Sequence, residues 1–280
     1  MILYNGMQGL GDNIYQRAFL SRLQETVKLI TPWPQLYVDM PHILPVASLT
    51  TLRTQRKNLE SAKAAYVVQD RGEIPLKIFY TGEGIIRGME NCFGFAPAPL
   101  TLPEYPHNKL TNKPYVLIRP NTLRREWLNI ARAPKTEYIN ETVRLCREAG
   151  LLTISVADVD GVEEFYHDEP PEVDVEFTGG ELSVTEMLHL TQNAVGVVGG
   201  IGWLLPAALA YRIPALIICG GNGGYNHPSL LTDPRLGEHH VTFAMPDNFC
   251  MCKNNRDTYC DKTISNFSRL ANSWVSALEF

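Results

Sequence analysis

Residues 181–221 read ELSVTEMLHLTQNAVGVVGGIGWLLPAALAYRIPALIICGG, and they carry the clearest secondary-structure pattern of the chain. Ser183, followed three residues later by Glu186, forms a capping-box pattern that predicts the start of a helix. Beyond this helix come two short apolar runs typical of buried strands, with a helical segment between them. These three segments are residues 195–198, 215–218 and 204–211, respectively. Strands that alternate with helices indicate an α/β domain built on a parallel sheet.

The alternation of strands and helices extends on the N-terminal side of this stretch. Two strand patterns enclose a helix pattern, at residues 115–118, 135–148 and 152–156. The chain itself begins with a strand pattern at residues 2–4, a glycine-rich turn, and a helix over about residues 14–23. Three further apolar runs predict strands at residues 36–38, 65–68 and 77–80.

A proline-rich stretch separates the two series of elements. Residues 95–114 carry many prolines and little periodicity, which is typical of a linker. We therefore predict two Rossmann-like domains that face a central cleft, at residues 1–112 and 113–264. Residues 265–280 place their apolar side chains on one face of a helical pattern and predict a C-terminal amphipathic helix.

The composition is that of an ordinary globular protein. Of 280 residues, 45% are hydrophobic and 20% are charged, which excludes an intrinsically disordered chain. No run of about 18 apolar residues occurs, so a membrane-spanning helix is excluded. The first residues show no signal-peptide pattern, and with six cysteines we expect a cytoplasmic protein with free thiols.

Charge is distributed unevenly along the chain. The net charge of −5 argues against a protein that coats nucleic acid. Residues 1–115 hold 12 basic and 9 acidic residues, whereas the remainder holds 13 basic and 21 acidic ones. This asymmetry indicates two domains with different ligands, unless it is a chance variation of the surface.

The first glycine-rich turn, Gly9-Leu10-Gly11-Asp12, stands between the first strand and the first helix. Glycines there let backbone N–H groups approach a phosphate or a sugar, and the helix N-terminus adds positive potential. Asp12 has two interpretations: it caps the helix, or it is a general base in the crevice beyond the strands. The glycine spacing does not match G-x-G-x-x-G, which disfavours a nicotinamide enzyme.

A group of basic residues follows the strand at residues 115–118. Guanidinium groups bind phosphate oxygens through paired hydrogen bonds, so arginines and a threonine at the end of a strand predict a diphosphate site. The alternative is a solvated basic loop with Trp127 packed on the core. The candidate residues are Arg119, Thr122, Arg124 and Arg125.

Two more glycine-rich turns follow strands in the second half of the chain. The first contains Gly200, Gly202 and Trp203, and the second contains Gly221 and Asn222. Glycines at such turns let a nucleotide or a phosphate lie against the backbone, although they also allow close packing of a strand on a helix. We predict that these five residues contact a nucleotide or its phosphates.

The cysteines near the C-terminus have two interpretations. Cys250, Cys252 and Cys260, with His239 and His240 upstream, could hold a metal ion. Zinc sites more often use C-x-x-C pairs and four clear ligands. We therefore predict free thiols and no metal, with metal binding as the alternative.

The sequence resembles the heptosyltransferase-type glycosyltransferases of glycosyltransferase family nine, which have the two-domain GT-B fold. The matching segments are GLGDNI at residues 9–14, YVLIRPNTLRREW at residues 115–127, and the stretch at residues 181–221. The resemblance implies that Asp12 deprotonates an acceptor hydroxyl and that the donor is a nucleotide-diphosphate sugar. It also implies direct displacement without a metal or another cofactor.

The resemblance further implies which residues contact the donor. The first glycine turn would leave room for its phosphates, a threonine and an arginine would hold the diphosphate, and a later glycine turn would border the nucleotide. These groups are Gly9 with Gly11, Thr122 with Arg124 or Arg125, and Gly200 with Gly202. The helix at residues 265–280 would pack back across the domain junction.

The acceptor is expected to be a hydroxyl group of a glycan, and two alternatives stand beside this expectation. The first is a hydroxymethylated base in DNA, contacted by the basic patch Arg53, Arg56 and Lys57, which is otherwise a solvated helix face. The second is a non-catalytic module that binds a nucleotide sugar. It arises because the family usually has Asp-Ser-Gly or Asp-Thr-Gly after the strand at residues 195–198, where this chain has glycines and no carboxylate.

Overall fold

The computed structural model describes residues 1–80, 82–237, 240–253 and 260–280, and it contains two parallel sheets. The strands of the N-terminal sheet are β1 (Leu3–Asn5), β2 (Val27–Thr31), β3 (Ile43–Ala47) and β4 (Leu76–Lys77). Their order is β3-β2-β1-β4. The chain order reverses between β1 and β4, so a crevice opens beyond the carboxyl ends of these two strands.

The C-terminal half contains a larger parallel sheet and a short antiparallel ribbon. Its strands are β5 (Tyr115–Arg119), β6 (Thr122–Arg124), β7 (Leu152–Val156), β8 (Glu164–Tyr166), β9 (Val175–Phe177), β10 (Gly196–Gly200), β11 (Ala215–Ile218) and β12 (Val241–Ala244). The sheet has the order β12-β11-β10-β5-β7-β9, and β6 pairs with β8. Counted within the sheet, this is the doubly wound order 3-2-1-4-5-6, whose ligand crevice lies between β5 and β10.

Helices cover both sheets. They are α1 (Leu10–Leu20), α2 (Arg53–Ser61), α3 (Ile85–Phe93), α4 (Thr136–Glu148), α5 (Val184–Gln192), α6 (Leu204–Tyr211), α7 (Gly223–Asn226), α8 (Pro228–Leu231) and α9 (Phe267–Ser276). The predicted capping box is confirmed, because Ser183 and Glu186 each accept a hydrogen bond from the other's backbone N–H. In the described part of the chain, the helices are too short or too polar to cross a bilayer.

The two halves share one apolar core. Helix α1 packs against α6, and buried residues of both halves, such as Phe19 and Leu204, belong to one continuous cluster. The linker is bound to both halves: Arg17 Nε donates to the carbonyl of Thr101 at 2.7 Å, and the Tyr211 hydroxyl donates to the carbonyl of Pro103 at 2.8 Å. The linker therefore holds the sheets in a fixed relation.

The C-terminal helix α9 packs against the C-terminal sheet. The ring of Phe267 lies 4.4 Å from that of Tyr138 in α4. Trp274 lies against Gly196 of β10, where an added Cβ would come within 2.9 Å of the indole ring. This placement differs from the predicted packing across the domain junction, because its apolar face is covered by its own domain.

Two of the strand predictions in the N-terminal half are wrong. Residues 34–37 form a 3-10 helix, Pro34–Tyr37, where a strand was predicted at 36–38. At residues 65–68, Val67 makes a single bridge to Val46 of the edge strand β3. The sheet contains β2 and β3 instead, which the apolar pattern did not reveal.

Candidate functional site

A cleft of about 1340 Å³ opens between the carboxyl ends of the two sheets. Its N-terminal wall is formed by the turn after β1, the start of α1 and Tyr80 beyond β4. Its C-terminal wall is formed by the segments that follow β5 and β10. The crevices of both sheets face this space, which is where doubly wound domains bind ligands.

Asp12 lies on the N-terminal wall, in the first turn of α1. The N-cap of this helix is Gly9, so the capping interpretation of Asp12 is wrong. Glycine at position 9 leaves room for the Asp12 side chain, whose Oδ2 would lie 2.6 Å from an added Cβ. Burial raises the pKa of Asp12 to about 6, against a smaller lowering by the charge of Arg132. The carboxylate is therefore ionised at neutral pH, yet more basic than an exposed aspartate.

Arg132 lies on the opposite wall, in the loop before α4. Its Nη2 donates to the carbonyl of Ile201 at 2.8 Å, in the glycine turn after β10. Its Nε is buried and lacks a hydrogen-bond partner among the described residues. Burial lowers the pKa of Arg132 while the charge of Asp12 raises it, and a guanidinium stays protonated in either case. A half-buried cation that lines a cleft is suited to binding an anion.

Three of the predicted phosphate-binding residues converge on one buried carboxylate, Glu164. Arg119 Nη2 and Thr122 Oγ1 each donate to Glu164 Oε1 at 2.7 Å, and Arg124 Nε donates to Oε2 at 2.8 Å. Burial raises the pKa of Glu164, but the two arginines and the hydrogen bonds outweigh it and hold the pKa below its usual value. The network fixes this wall of the cleft, and Arg124, whose side chain is 31% exposed, lies at its open side.

The other two residues of this loop are placed differently from the predictions. Arg125 is exposed and does not line the cleft. Trp127 is 52% exposed and lines the cleft, so the alternative in which it packs on the core is wrong. The loop therefore presents an aromatic ring to the cleft and turns Arg125 away from it.

We expect Glu164→Gln to destabilise the protein by about 3 kcal/mol at pH 7, because two arginines would then face a neutral amide at a buried site. The difference in the free energy of unfolding between wild type and the variant should become smaller at acid pH. The folded-state pKa of Glu164 is lowered from 4.5, so its contribution is complete above this pH and is lost as the pH falls through the folded-state value. Urea unfolding measures the difference, with the neighbouring Glu163→Gln as control. Equal midpoints for the two variants would contradict this role of Glu164.

Comparison with known proteins adds to this geometry. No protein-family model matches the sequence, and no curated protein sequence matches it significantly. Solved structures do match. The iron-containing dodecameric glycosyltransferase TibC from enterotoxigenic E. coli has a TM-score of 0.62 at 16% identity, over 99% of this chain and 74% of TibC. E. coli ADP-heptose lps heptosyltransferase II has a TM-score of 0.57 at 12% identity, over 98% of both chains.

A glycosyltransferase of family 9 from Veillonella parvula also superposes, with a TM-score of 0.59 at 12% identity, over 98% of this chain and 97% of that one. The chain has the heptosyltransferase fold. The predicted α/β architecture of GT-B type is thereby confirmed. A TibC structure has also been solved with ADP-D-β-D-heptose bound.

Two glycines of the predicted donor site have packing roles in this heptosyltransferase fold. A Cβ on Gly11 would lie 3.1 Å from the Cα of Trp203, so glycine there allows α1 to approach the start of α6. A Cβ on Gly200 would lie 3.1 Å from Pro134 Cδ. Gly202 has open space where a Cβ would stand. Gly11, Gly200, Gly202 and Trp203 all line the cleft.

In the last glycine-rich turn, the two residues predicted to contact the nucleotide do not line the cleft. Gly221 and Asn222 lie outside the lining, contrary to prediction. Gly221 faces Cys260, whose Sγ would be 2.5 Å from an added Cβ. Asn222 is buried in the left-handed conformation with φ 58°. The glycines of this turn thus allow contact between protein segments.

The basic patch on α2 is engaged with the C-terminal half. Arg53 forms ion pairs with Asp158 at 3.0 Å and with Asp160 at 2.9 Å. Lys57 donates to the carbonyl of Gly180. Arg56 is exposed and lies outside the cleft lining. Two of the three cations predicted to contact an acceptor are therefore held by contacts between the halves.

The three cysteines near the C-terminus come together. The Sγ atoms of Cys250, Cys252 and Cys260 are 3.3 to 3.6 Å apart. Within the described residues, these three thiols form the group that is close enough to hold a metal ion, and His239 lies outside the described residues. Three clustered sulfurs are a donor set suited to zinc or iron.

Proposed function

We propose that the protein is a glycosyltransferase that moves a sugar from a nucleotide-diphosphate sugar to an acceptor hydroxyl by direct displacement. One observation carries the proposal. The carboxylate of Asp12, on the N-terminal wall, and the guanidinium of Arg132, on the C-terminal wall, face the same cleft and influence each other's pKa. A base and a cation on opposite walls suit a reaction in which a proton leaves one substrate and a diphosphate leaves the other.

Asp12 acts on the acceptor. As the acceptor oxygen forms its bond to the anomeric carbon, its proton passes to the carboxylate of Asp12. The bond between that carbon and the diphosphate oxygen breaks, and its electron pair leaves with the nucleoside diphosphate. A single displacement inverts the configuration at the anomeric carbon. With a pKa of about 6, Asp12 is ionised at pH 7 and ready to accept the proton.

The C-terminal wall holds the leaving group. Arg132 offers its positive charge to the diphosphate, and the turn with Gly200 and Gly202 lines the same wall beside the start of α6. Arg124, which forms an ion pair with Glu164, adds a second positive charge. Thr122 and Arg119 act indirectly, by fixing this wall through Glu164. These groups stabilise negative charge as it develops on the departing diphosphate.

We propose a glycan hydroxyl as the acceptor. The DNA alternative depends on the patch Arg53, Arg56 and Lys57. Two of these cations have partners within the protein, because Arg53 forms ion pairs with Asp158 and Asp160 and Lys57 donates to the carbonyl of Gly180. The non-catalytic alternative depends on the missing carboxylate after β10 and makes a different prediction. A binding module would bind the donor without turnover, whatever stands at position 12.

A thermal-shift panel tests the function. We expect one of the UDP-, GDP-, ADP-, CMP- and dTDP-sugars to raise the melting temperature by about 5 °C at saturating concentration, in wild type and in Asp12→Asn alike. The stabilising donor should then be hydrolysed or transferred by wild type and not by Asp12→Asn. Stabilisation by NAD(H) alone, or by none of these compounds, would contradict the proposal. Donor binding without turnover in the wild type, across an acceptor screen, would favour the binding module.

A further inference from the structure

Four buried polar side chains lie behind the turn at residues 6–9, which joins β1 to α1 and leads to Asp12. They do not line the cleft, so a substrate in the cleft would not touch them. Burying an amide or a hydroxyl costs free energy unless the group is hydrogen-bonded. We call these four side chains the turn network. They are Asn13, Gln16 and Thr31, each 0% exposed, and Tyr37, which is 3% exposed.

Asn13 holds the turn through its side-chain amide. Its Nδ2 donates to the carbonyl of Met7 at 2.5 Å and to that of Gly9 at 2.8 Å, so both hydrogens of this nitrogen are used. Its Oδ1 accepts from Thr31 Oγ1 at 2.7 Å and from Gln16 Nε2 at 3.0 Å. The side chain therefore joins two carbonyls of the turn to β2 and to α1.

Gln16 holds the same turn from the next turn of α1. Its Oε1 accepts from the backbone N–H of Met7 at 3.0 Å, and its Nε2 donates to the Tyr37 hydroxyl at 2.6 Å. The Tyr37 hydroxyl lies 3.1 Å from the backbone carbonyl oxygen of Asn13 and 3.2 Å from its Oδ1, to which it donates. Both amides thus have partners for their oxygen and nitrogen atoms, and a satisfied buried network of this kind is rigid.

The network ends directly beneath the carboxylate of Asp12. Gly9, whose carbonyl accepts from the side chain of Asn13, lies against this carboxylate, since a Cβ on Gly9 would stand 2.6 Å from Asp12 Oδ2. A displacement of the turn would therefore displace the surface against which the carboxylate lies. A shift of about 1 Å in a reacting group can lower a rate by about 10²-fold.

We propose that the turn network positions Asp12 for proton transfer. This inference rests on the proposed function, in which Asp12 is the general base. The four side chains are positioning residues, because they act through the backbone of residues 6–9 and do not touch the reacting atoms. Catalytic groups need such support to stay within about 0.5 Å of their productive geometry.

Tyr37→Phe tests the proposal, with Tyr115→Phe as matched control. Tyr37→Phe keeps the ring but leaves one N–H of Gln16 without its acceptor. Tyr115 is also buried, its hydroxyl donates to the carbonyl of Leu190 at 2.7 Å, and it does not line the cleft. Tyr37→Phe should lower kcat about tenfold and leave the KM of the stabilising nucleotide sugar unchanged, whereas Tyr115→Phe should keep the wild-type kcat. Equal kcat values in the two variants would overturn the proposal.

A double-mutant cycle separates positioning from a general loss of structure. In Asp12→Asn the base is absent, so adding Tyr37→Phe should not reduce the residual turnover further. A further tenfold loss in the double variant would overturn the proposal. Wild-type turnover in Asp12→Asn alone would instead contradict the proposed function. If Tyr37→Phe does not fold, Thr31→Val repeats the test, with the equally buried Thr142→Val as control.

The pKa of Asp12 gives a readout that does not depend on turnover. Burial raises this pKa, so a loosened turn that admits water should lower it toward its ordinary value. The charged and titratable groups that face Asp12 are Arg132 and Tyr80, and Tyr37→Phe leaves both in place. The gain in stability from Asp12→Asn at pH 7.5, measured by urea unfolding, should therefore be smaller in Tyr37→Phe than in wild type or Tyr115→Phe. An equal gain in all three backgrounds would overturn the proposal.

Discussion

Asp12→Asn is expected to abolish sugar transfer while stabilising the folded protein at neutral pH. Asparagine keeps the shape of the side chain but cannot accept the acceptor's proton, so kcat should fall by about 10²- to 10⁴-fold. Donor affinity should change little, because the donor binds to the opposite wall. Donor turnover with the stabilising nucleotide sugar measures the first effect, and donor titration measures the second.

The gain in stability follows from the raised pKa. The folded-state pKa of Asp12 is about 6, against an ordinary value of 3.8, so the folded protein binds more protons than the unfolded chain between these values. Its stability therefore falls as the pH rises through this window. The variant lacks this loss and should be more stable by about 1–3 kcal/mol at pH 7.5, with the difference vanishing below about pH 4.

Asp160 supplies the control for Asp12, because its pKa is lowered whereas that of Asp12 is raised. Backbone amides of Glu164, Val162 and Glu163 lower the pKa of Asp160 to about 2, so Asp160→Asn should destabilise the protein at neutral pH. Urea unfolding at pH 7.5 and pH 4.5 compares the two variants. The assignment of Asp12 fails if Asp12→Asn keeps more than a tenth of the wild-type turnover. A lower stability of Asp12→Asn at pH 7.5 would contradict the raised pKa of this half-buried carboxylate.

The elements whose bounds the sequence predicted best are almost entirely buried. The strand at residues 152–156, the helix at 204–211 and the strand at 215–218 have the predicted bounds, because apolar runs between polar or glycine residues leave little choice of ends. Strand β2 contains Lys28, which reaches Asp70 and Glu73, and this charge hid the apolar pattern. Strand β3 contains Pro45, which is tolerated because β3 is an edge strand.

The candidate site was predictable where its chemistry lies next to a turn. Asp12 follows the first glycine turn directly, so its place at the carboxyl end of β1 could be inferred from the sequence. Arg132 lies in an irregular loop whose course depends on contacts with Ile201 and Gly221, which are distant in sequence. Arg132 belongs to none of the predicted strands, helices or glycine turns, so the sequence pattern did not mark it as a site residue.

Two other misassignments arise because the sequence does not show which distant residue a side chain or a glycine contacts in the fold. A glycine is required wherever another atom comes close to the backbone, whether that atom belongs to a ligand or to the protein. Gly221 meets Cys260, and the sequence pattern cannot distinguish this contact from one with a nucleotide. Likewise, a surface cation and a paired cation look the same in sequence, and the partner of Arg53 is Asp158, 105 residues away.

Arg132→Gln is expected to weaken catalysis about as strongly as the loss of an oxyanion-stabilising donor, by about 10²- to 10³-fold in kcat/KM. Glutamine keeps a polar side chain in the cleft but removes the positive charge that faces the diphosphate. Arg125→Gln is the matched control, because Arg125 comes from the same loop, is exposed and does not line the cleft. It should retain nearly full activity.

The pH dependence of the Arg132 variant separates an electrostatic role from a merely structural one. In wild type, kcat/KM should fall below about pH 6 as Asp12 takes up a proton, since its pKa is about 6. The charge of Arg132 lowers that pKa, so its removal must move the acid limb of the profile to higher pH. A structural disturbance of the loop would reduce activity at every pH and leave the limb in place. An unmoved acid limb in Arg132→Gln would therefore show that the two side chains do not act together across the cleft, and it would remove the observation that carries the proposed function.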